Sequence, residues 1–134
     1  MQEDILTTQA IQSGRDVVIA SEELLGRIAD VLKAMADPTR LKILHSLNTG
    51  ERCVSDILGS VGGSQANVSK HLSVLKRAGL VDCRRDGLNV FYRIADPSVF
   101  TICRNVCDSL EDRIDRQHQA IVEGRKQIEE AESG

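Results

Sequence analysis

Aromatic residues are nearly missing from this 134-residue chain: it has no tryptophan, one tyrosine and two phenylalanines, together 2% of the sequence. Strands are usually rich in aromatic and β-branched residues, and a core without aromatics must be filled mainly by Leu, Ile, Val and Ala. The composition therefore predicts a mainly helical fold. With 41% hydrophobic and 28% charged residues, the chain has the ordinary composition of one compact domain.

Long apolar runs are also missing. No stretch approaches the roughly 18–20 apolar residues that a membrane-spanning helix needs, and Glu3 and Asp4 stand where a secretory signal peptide would be basic. We therefore expect a cytoplasmic protein without a membrane partner. In that reducing compartment the four cysteines should be free thiols rather than a disulfide framework.

An excess of positive charge is missing from the chain as a whole, whose formal net charge is −3. This excludes a protein that coats nucleic acid with its whole surface, so any DNA contact must come from a local patch. Residues 64–85 provide one, because they carry five Lys and Arg residues against a single Asp, 5 − 1 = +4. We also find no phosphate loop, no paired-carboxylate site and no cysteine with a base at catalytic spacing. We therefore expect no enzymatic activity.

Helix-start signals organise the first part of the chain. Residues 1–20 show no sustained period and are interpreted as an N-terminal arm. Beyond them, Ser, Asp and Pro stand just before apolar residues with helical spacing, which is typical of helix N-termini. These signals predict four helices, over about residues 21–36, 37–47, 54–61 and 64–78.

Two short runs with strand character follow, Leu80–Arg84 and Val90–Ile94, and Asp86-Gly87-Leu88-Asn89 separates them. This pattern predicts a β-hairpin. Two short helices joined by a glycine-containing turn and followed by a hairpin are typical of a winged helix-turn-helix. The predicted fold class is therefore mainly α with a small β-hairpin.

A last helix is predicted from Asp96-Pro97, with an apolar stripe that extends to Ile114. The sequence turns strongly polar after Arg116, and we expect that part to fray. The predicted organisation is the N-terminal arm, a winged helix-turn-helix and dimerisation domain over residues 21–116, and a polar C-terminal extension over residues 117–134.

The fourth predicted helix has an apolar face and a polar face. Gln and Asn can form two hydrogen bonds with adenine, Ser and His can contact bases or phosphates, and Lys attracts phosphate. A merely solvated polar face is the alternative, and for Arg93 a surface ion pair stays open, but the arginines of the adjoining hairpin favour duplex DNA. The predicted DNA-binding residues are Ser64, Gln65, Asn67, Ser69, Lys70, His71, Arg84, Arg85 and Arg93.

Three stretches carry a resemblance to a known family: LKAMADPTRLKIL at residues 32–44, SQANVSKHLSVL at residues 64–75 and AGLV at residues 78–81. Over roughly residues 22–115 the chain resembles the ArsR/SmtB family of metal- and metalloid-responsive repressors. The resemblance implies a homodimer built on the first and last helices, which binds double-stranded operator DNA with an imperfect inverted repeat and leaves it when an inducer binds.

The family's known sensor sites match this chain only in part. Arsenic and cadmium sensors of the family can carry Cys-Val-Cys at the start of the third helix, where this chain reads Cys53-Val54-Ser55. The zinc sensors' ligand set on the last helix is reduced here to His118. The persulfide sensors' two thiols are replaced by His45 and, approximately, Glu111.

Cys103 and Cys107 are four residues apart on the predicted last helix, so their Cβ atoms should lie about 5–6 Å apart on one face. Soft thiolates select ions such as As(III), Sb(III) or Cd(II), and a three-sulfur site suits the pyramidal metalloids best. We expect an inducer site in which Cys53 is the third metal ligand, and no cofactor that DNA binding requires.

Other roles for the thiols stay open. As small hydrophobes, Cys103 can fill the dimer seam and Cys107 a neighbouring gap, and Cys83 is expected to pack beneath the hairpin. They can also oxidise, which would make the protein a thiol-redox or persulfide-responsive repressor. A DNA-binding regulator without any effector is the third alternative.

Overall fold

The computed structural model describes residues 21–133, so the predicted N-terminal arm lies outside the described residues. The chain divides into two compact units, one ending at Ala95 and one starting at Asp96, and each is described by itself. The elements are α1 (Glu22–Met35), α2 (Pro38–Ser46), β1 (Arg52–Cys53), α3 (Val54–Val61), α4 (Gln65–Arg77), β2 (Val81–Asp86), β3 (Asn89–Ile94) and α5 (Ser98–Ser133). The mainly helical fold class is confirmed.

Side-chain caps fix the starts of three helices where the sequence predicts them. Ser21 Oγ accepts a hydrogen bond from Leu24 N at 3.1 Å, and Asp37 Oδ2 accepts one from Arg40 N at 3.0 Å. The second bond holds the pKa of the Asp37 carboxyl below its usual value, because it favours the charged form. Ser64 caps α4 in the same way.

The predicted hairpin is part of a three-stranded antiparallel sheet with the strand order β1-β3-β2. Gly87 has φ +62° at the first position of the two-residue turn, which fits a type II′ hairpin turn. The short strand β1 pairs with β3, with Cys53 opposite Phe91. The sequence did not predict β1, because two residues are too few to show alternation.

The core of the unit that ends at Ala95 is aliphatic, as the scarcity of aromatic residues predicted. Burying one such side chain contributes roughly 1.5–3 kcal/mol. Three core residues come from α4, so its buried face is firmly anchored. The buried hydrophobic residues of this unit are Ala34, Met35, Ile43, Leu44, Leu47, Ile57, Val68, Leu72, Leu75, Leu80 and Val81.

The last helix, α5, is continuous over 36 residues and ends at Ser133. The predicted fraying after Arg116 is therefore wrong. The polar stretch is rich in Glu, Gln, Lys, Arg and Ala, which are strong helix formers, and Arg125 Nε donates to Glu129 Oε1 at 3.2 Å one turn away. Within residues 21–133 no helix is long and apolar enough to cross a membrane.

Candidate nucleic-acid interface

The two helices α3 and α4 are joined by a tight turn at Gly62-Gly63. Both glycines have positive φ, +81° and +85°, a region that residues with a Cβ rarely adopt. At the other end of α4, Leu80 N donates to Leu75 O at 3.0 Å across Gly79, which is the Schellman closure of a helix. Helix α4 is thus held between two glycine turns.

Helix α4 presents the polar face that the sequence predicted. Val68, Leu72 and Leu75 are completely buried, whereas Gln65, Asn67 and Lys70 are exposed and Ser69 is half-buried. The three buried apolar side chains fix the rotation of α4 about its axis. Within the described structure, the exposed Gln65 and Lys70 side chains make no hydrogen bond or ion pair, so both are available to a ligand.

Two other predicted DNA contacts of α4 already have partners inside the protein. Ser64 Oγ accepts from Asn67 N at 3.1 Å, so its main role is to cap the helix. His71 is half-buried, and its Nδ1 lies 3.3 Å from Arg40 Nη1. Because a guanidinium can only donate, Nδ1 must accept and Nε2 must carry the ring proton in this arrangement.

Arg40 is a residue whose role the sequence did not indicate. Its Nε donates to Ala34 O at 2.6 Å and its Nη2 to Lys33 O at 3.1 Å, so it satisfies carbonyls of the last turn of α1. Through His71 the same guanidinium reaches α4. Arg40 therefore positions α4 relative to α1, and only the three-dimensional contacts reveal this.

On the β2–β3 wing, Arg84 is fully engaged by neighbouring groups. Its Nε donates to both carboxylate oxygens of Glu51 at 2.9 Å, its Nη1 lies 3.7 Å from Asp86 Oδ2, and its Cζ lies 4.7 Å from the Phe91 ring centroid. The hydrogen bonds hold the pKa of the Glu51 carboxyl below its usual value. Arg84 thus ties the wing to the segment just before β1.

The other predicted wing cations are more accessible. Arg85 is exposed and makes no hydrogen bond or ion pair among the described residues. Arg93 is also exposed, and it stands opposite Asp82 in the strand register, next to the charge of Glu51. At the wing tip Leu88 is fully exposed, an apolar residue that the sequence did not single out.

Two of the four free thiols lie in the unit that ends at Ala95. Cys53 is half-buried, and its Sγ lies 3.1 Å from Ser55 Oγ, so the hydroxyl stands where the family's Cys-Val-Cys pair has its second thiol. Cys83 is half-buried opposite Tyr92. Its Sγ lies 3.2 Å from Lys76 Nζ, and this hydrogen bond raises the pKa of the Lys76 ammonium.

The other two thiols, Cys103 and Cys107, lie one turn apart on α5 in the second unit, where Cys103 is half-buried and Cys107 is exposed. Within one chain, residues 21–133 hold no group of three or more His, Cys, Asp or Glu side chains that could bind a metal ion. The three-thiol site of Cys53, Cys103 and Cys107 stays a prediction.

Together, α3, α4 and the β2–β3 hairpin form a winged helix-turn-helix, in which α4 occupies the position of the recognition helix. The family model described as "Bacterial regulatory protein, arsR family" matches residues 37–82, from the N-cap of α2 to the start of β2. The chain belongs to the arsR family of bacterial regulatory proteins, as its sequence resemblance implied.

Known relatives agree with this assignment. The chain is 37% identical over 64% of its length to a "Transcriptional repressor SmtB homolog" of Synechocystis sp., and 45% identical over 53% of its length to a "Probable mercury resistance operon repressor" of Streptomyces lividans. It spans 65% and 57% of the length of these two curated relatives.

A solved structure supports the fold. The chain is 37% identical, with a TM-score of 0.61, to the solution structure of Mb0332 from Mycobacterium bovis, described as a homodimeric winged helix-turn-helix DNA-binding domain of a possible ArsR-family transcriptional regulator. The match covers 68% of this chain and 87% of that one. The winged helix-turn-helix prediction is confirmed.

Proposed function

We propose that this chain is a transcriptional repressor that binds operator DNA as a homodimer, with α4 in the major groove and the wing against the adjoining backbone. The observation that carries the proposal is the division of α4 into a fully buried face and a polar face with free Gln65 and Lys70 side chains. An amide can read a base edge, and an ammonium can neutralise a phosphate.

The charge distribution supports the same surface. The chain has a net charge of −3, so a nucleic acid is repelled by most of it and attracted mainly by the basic stretch that contains α4 and β2. On the wing, Arg85 and Arg93 are the cations proposed to meet phosphates. Arg84 is proposed to stabilise the wing rather than to contact a phosphate, since the Glu51 carboxylate already neutralises its charge.

Two apolar surfaces support the homodimer. Leu24, Leu25, Ile28 and Leu32 of α1 are 37–48% exposed, and Val106, Leu110 and Ile114 of α5 are 49–63% exposed. Exposed apolar stripes of this kind typically mark protein–protein contacts. A two-fold symmetric dimer would present two copies of α4 to the two halves of an inverted repeat.

The inducer is proposed to be a soft thiol-binding ion, with As(III), Sb(III) and Cd(II) as candidates. Cys103 and Cys107 are the proposed ligands on α5, and Cys53 is the proposed third. The name of the Streptomyces relative associates that protein with mercury, which is also a soft metal. Binding would shift the dimer towards a geometry that cannot hold both half-sites.

Selection of binding sites from random duplex DNA tests DNA recognition directly. We expect enrichment of an imperfect inverted repeat, and an affinity for it that falls steeply with salt concentration. Enrichment of no sequence would overturn the proposal. Native mass spectrometry of the reduced protein then tests the inducer: retained As(III), Sb(III) or Cd(II) supports ligation, whereas added sulfur atoms after polysulfide treatment support the persulfide alternative instead.

A further inference from the structure

A cleft open to solvent lies between α1, α2 and the C-terminal end of α4. Its volume is about 520 Å³, within the range of roughly 300–1,000 Å³ that is typical of small-molecule sites. Among the described residues, none of the predicted DNA contacts and none of the cysteines lines it. The cleft is therefore separate from both sites proposed above, and its lining indicates which ligand it would take.

Positive charge exceeds negative charge in the cleft, whose lining holds three cations and one carboxylate, that of Asp30. Lys33 on α1 and Arg77 on α4 are two of the cations, and both are exposed. Within residues 21–133, the side chains of Asp30, Lys33 and Arg77 form no hydrogen bond or ion pair. Unneutralised cations on neighbouring helices repel each other, and an anion between them removes that repulsion.

Arg40, the third cation, is half-buried on α2. Its bonds to Ala34 O, Lys33 O and His71 Nδ1 use three of its N–H groups, and a guanidinium has five. One N–H on each Nη is left to donate. In the described part of the chain this guanidinium forms no ion pair, whereas cations shielded from water are usually paired. An anion in the cleft would supply the missing partner.

The rest of the lining is apolar and small. Ala34 is 5% exposed, Val74 and Ala78 are half-buried, and all three line the cleft. An inorganic anion would leave this apolar surface in water, whereas a ligand with an apolar body covers it. We propose that the cleft binds a small organic acid as its anion. The three cations hold the carboxylate, and the apolar body packs against the three small side chains.

The same cleft is linked to α4 through Arg40, whose Nη1 donates to His71 on that helix. A carboxylate attracts the guanidinium more strongly than the neutral His71 ring does, because the bond then joins two charged groups. Occupation of the cleft therefore loosens the contact that positions α4, and we expect bound acid to lower the affinity for operator DNA. This coupling rests on the proposed function, whereas binding of the acid does not.

A titration of the full chain with anthranilate tests the ligand class. Anthranilate is an aromatic acid that fluoresces, and the chain has no tryptophan to interfere. We expect saturable binding, and binding of the neutral anthranilamide to be weaker by roughly tenfold, because charge-assisted hydrogen bonds are lost. Equal binding of the amide, competition by equimolar inorganic phosphate, or no binding of anthranilate would each overturn the proposal.

Methyl spectra of the protein with labelled alanine and valine show where anthranilate binds. We expect its addition to shift the methyl signals of Ala34, Val74 and Ala78, which line the cleft, with the same midpoint as the fluorescence. Shifts confined to other alanine and valine methyl groups would place the acid elsewhere and overturn the site.

Single charge removals test the lining. Lys33→Gln and Arg77→Gln should each weaken anthranilate binding, roughly tenfold, because each removes a charge-assisted hydrogen bond. Both side chains are exposed, so the fold should be kept, which circular dichroism checks. Lys42→Gln is the matched control, since Lys42 is exposed on α2 outside the cleft lining, and it should bind as the wild type does. Equal losses in all three variants would mean that the acid follows net charge alone, which would overturn the site.

Operator affinity in the presence of saturating anthranilate tests the coupling. We expect the acid to weaken operator binding by the wild type, and Lys33→Gln to need more acid for the same release. If the acid binds in the cleft and operator affinity does not change, the coupling through Arg40 is wrong and the site stands. If the chain selects no DNA sequence, the proposed function fails, and anthranilate binding still decides whether the cleft is a site.

Discussion

Neighbouring arginines of the wing have different environments, although they look equivalent in the sequence. Arg84 is bound by Glu51 and lies over Phe91, whereas Arg85 has no such partner in the described structure. Strand alternation places the two side chains on opposite faces of the sheet. The sequence predicted both as DNA contacts, because residue type alone does not show that Glu51, 33 residues away, reaches one of them.

The Glu51–Arg84 pair should make wing stability depend on pH. The pKa of Glu51 lies below the ordinary 4.5 because Arg84 donates to its carboxylate. The stabilisation is therefore fully present above pH 4.5 and is lost as the pH falls through the lowered pKa. We expect Glu51→Gln to lower the thermal midpoint at pH 7 and to lose this effect under acid. A difference from wild type that stays constant with pH would contradict the assignment.

On α4, Gln65 and Lys70 should contribute to DNA binding in different ways. Gln65→Ala should cost roughly 1–3 kcal/mol at the selected operator, if the amide reads a base. Lys70→Ala should weaken binding to all sequences similarly and reduce the salt slope by about 1. Fluorescence anisotropy with specific and random duplexes measures both effects. Unchanged affinities in both variants would remove α4 as the recognition helix.

At the scale of elements, the sequence predicted those whose ends are set by local chemistry. Ser21, Asp37 and Ser64 cap helices as expected, because an N-cap needs only one side chain and a nearby N–H group. Strand β1 was missed because its two residues exist as a strand only through pairing with β3. The C-terminal part of α5 was missed because the polar sequence after Arg116 was interpreted as a fraying segment, although its residues are good helix formers.

The cap of α4 should be separable from DNA contact at the same residue. Ser64→Ala removes the acceptor for Asn67 N and should cost roughly 1 kcal/mol of unfolding free energy. Ser64→Asp should keep the cap and the stability but weaken DNA binding, because its carboxylate repels phosphate. Urea unfolding and anisotropy measure the two effects. Ser73→Ala, on the exposed face of α4, is the control and should alter stability little.

At the scale of the whole molecule, the residues proposed for DNA recognition and those proposed for sensing lie in different parts of the chain. Helix α4 and the wing belong to the unit that ends at Ala95, whereas Cys103 and Cys107 lie on α5. The sequence predicted the helix and the hairpin that carry the proposed DNA-binding residues, because local patterns define both elements, and the contacts of these residues with DNA stay a prediction. The proposed sensor could not be predicted as far, since its ligand set would depend on which helices meet in the proposed homodimer.

The cysteine predictions separate sensing from packing. Serine at Cys53, Cys103 or Cys107 should leave operator affinity nearly intact and make release insensitive to As(III), because each substitution removes a thiolate ligand. Cys83→Ser is the matched control and should release DNA as the wild type does. Its thiol lies on the wing next to Lys76, and it is not one of the proposed ligands.

The measurement is a titration of As(III) into operator-bound protein, followed by anisotropy, under strongly reducing conditions that suppress disulfides and so separate ligation from oxidation. A packing role for Cys103 or Cys107 predicts a different result, in which dimer stability and operator affinity fall together and the inducer response keeps its midpoint. The triple serine variant decides the matter. If it still releases DNA at the arsenic concentration that releases the wild type, these three cysteines do not form the sensor.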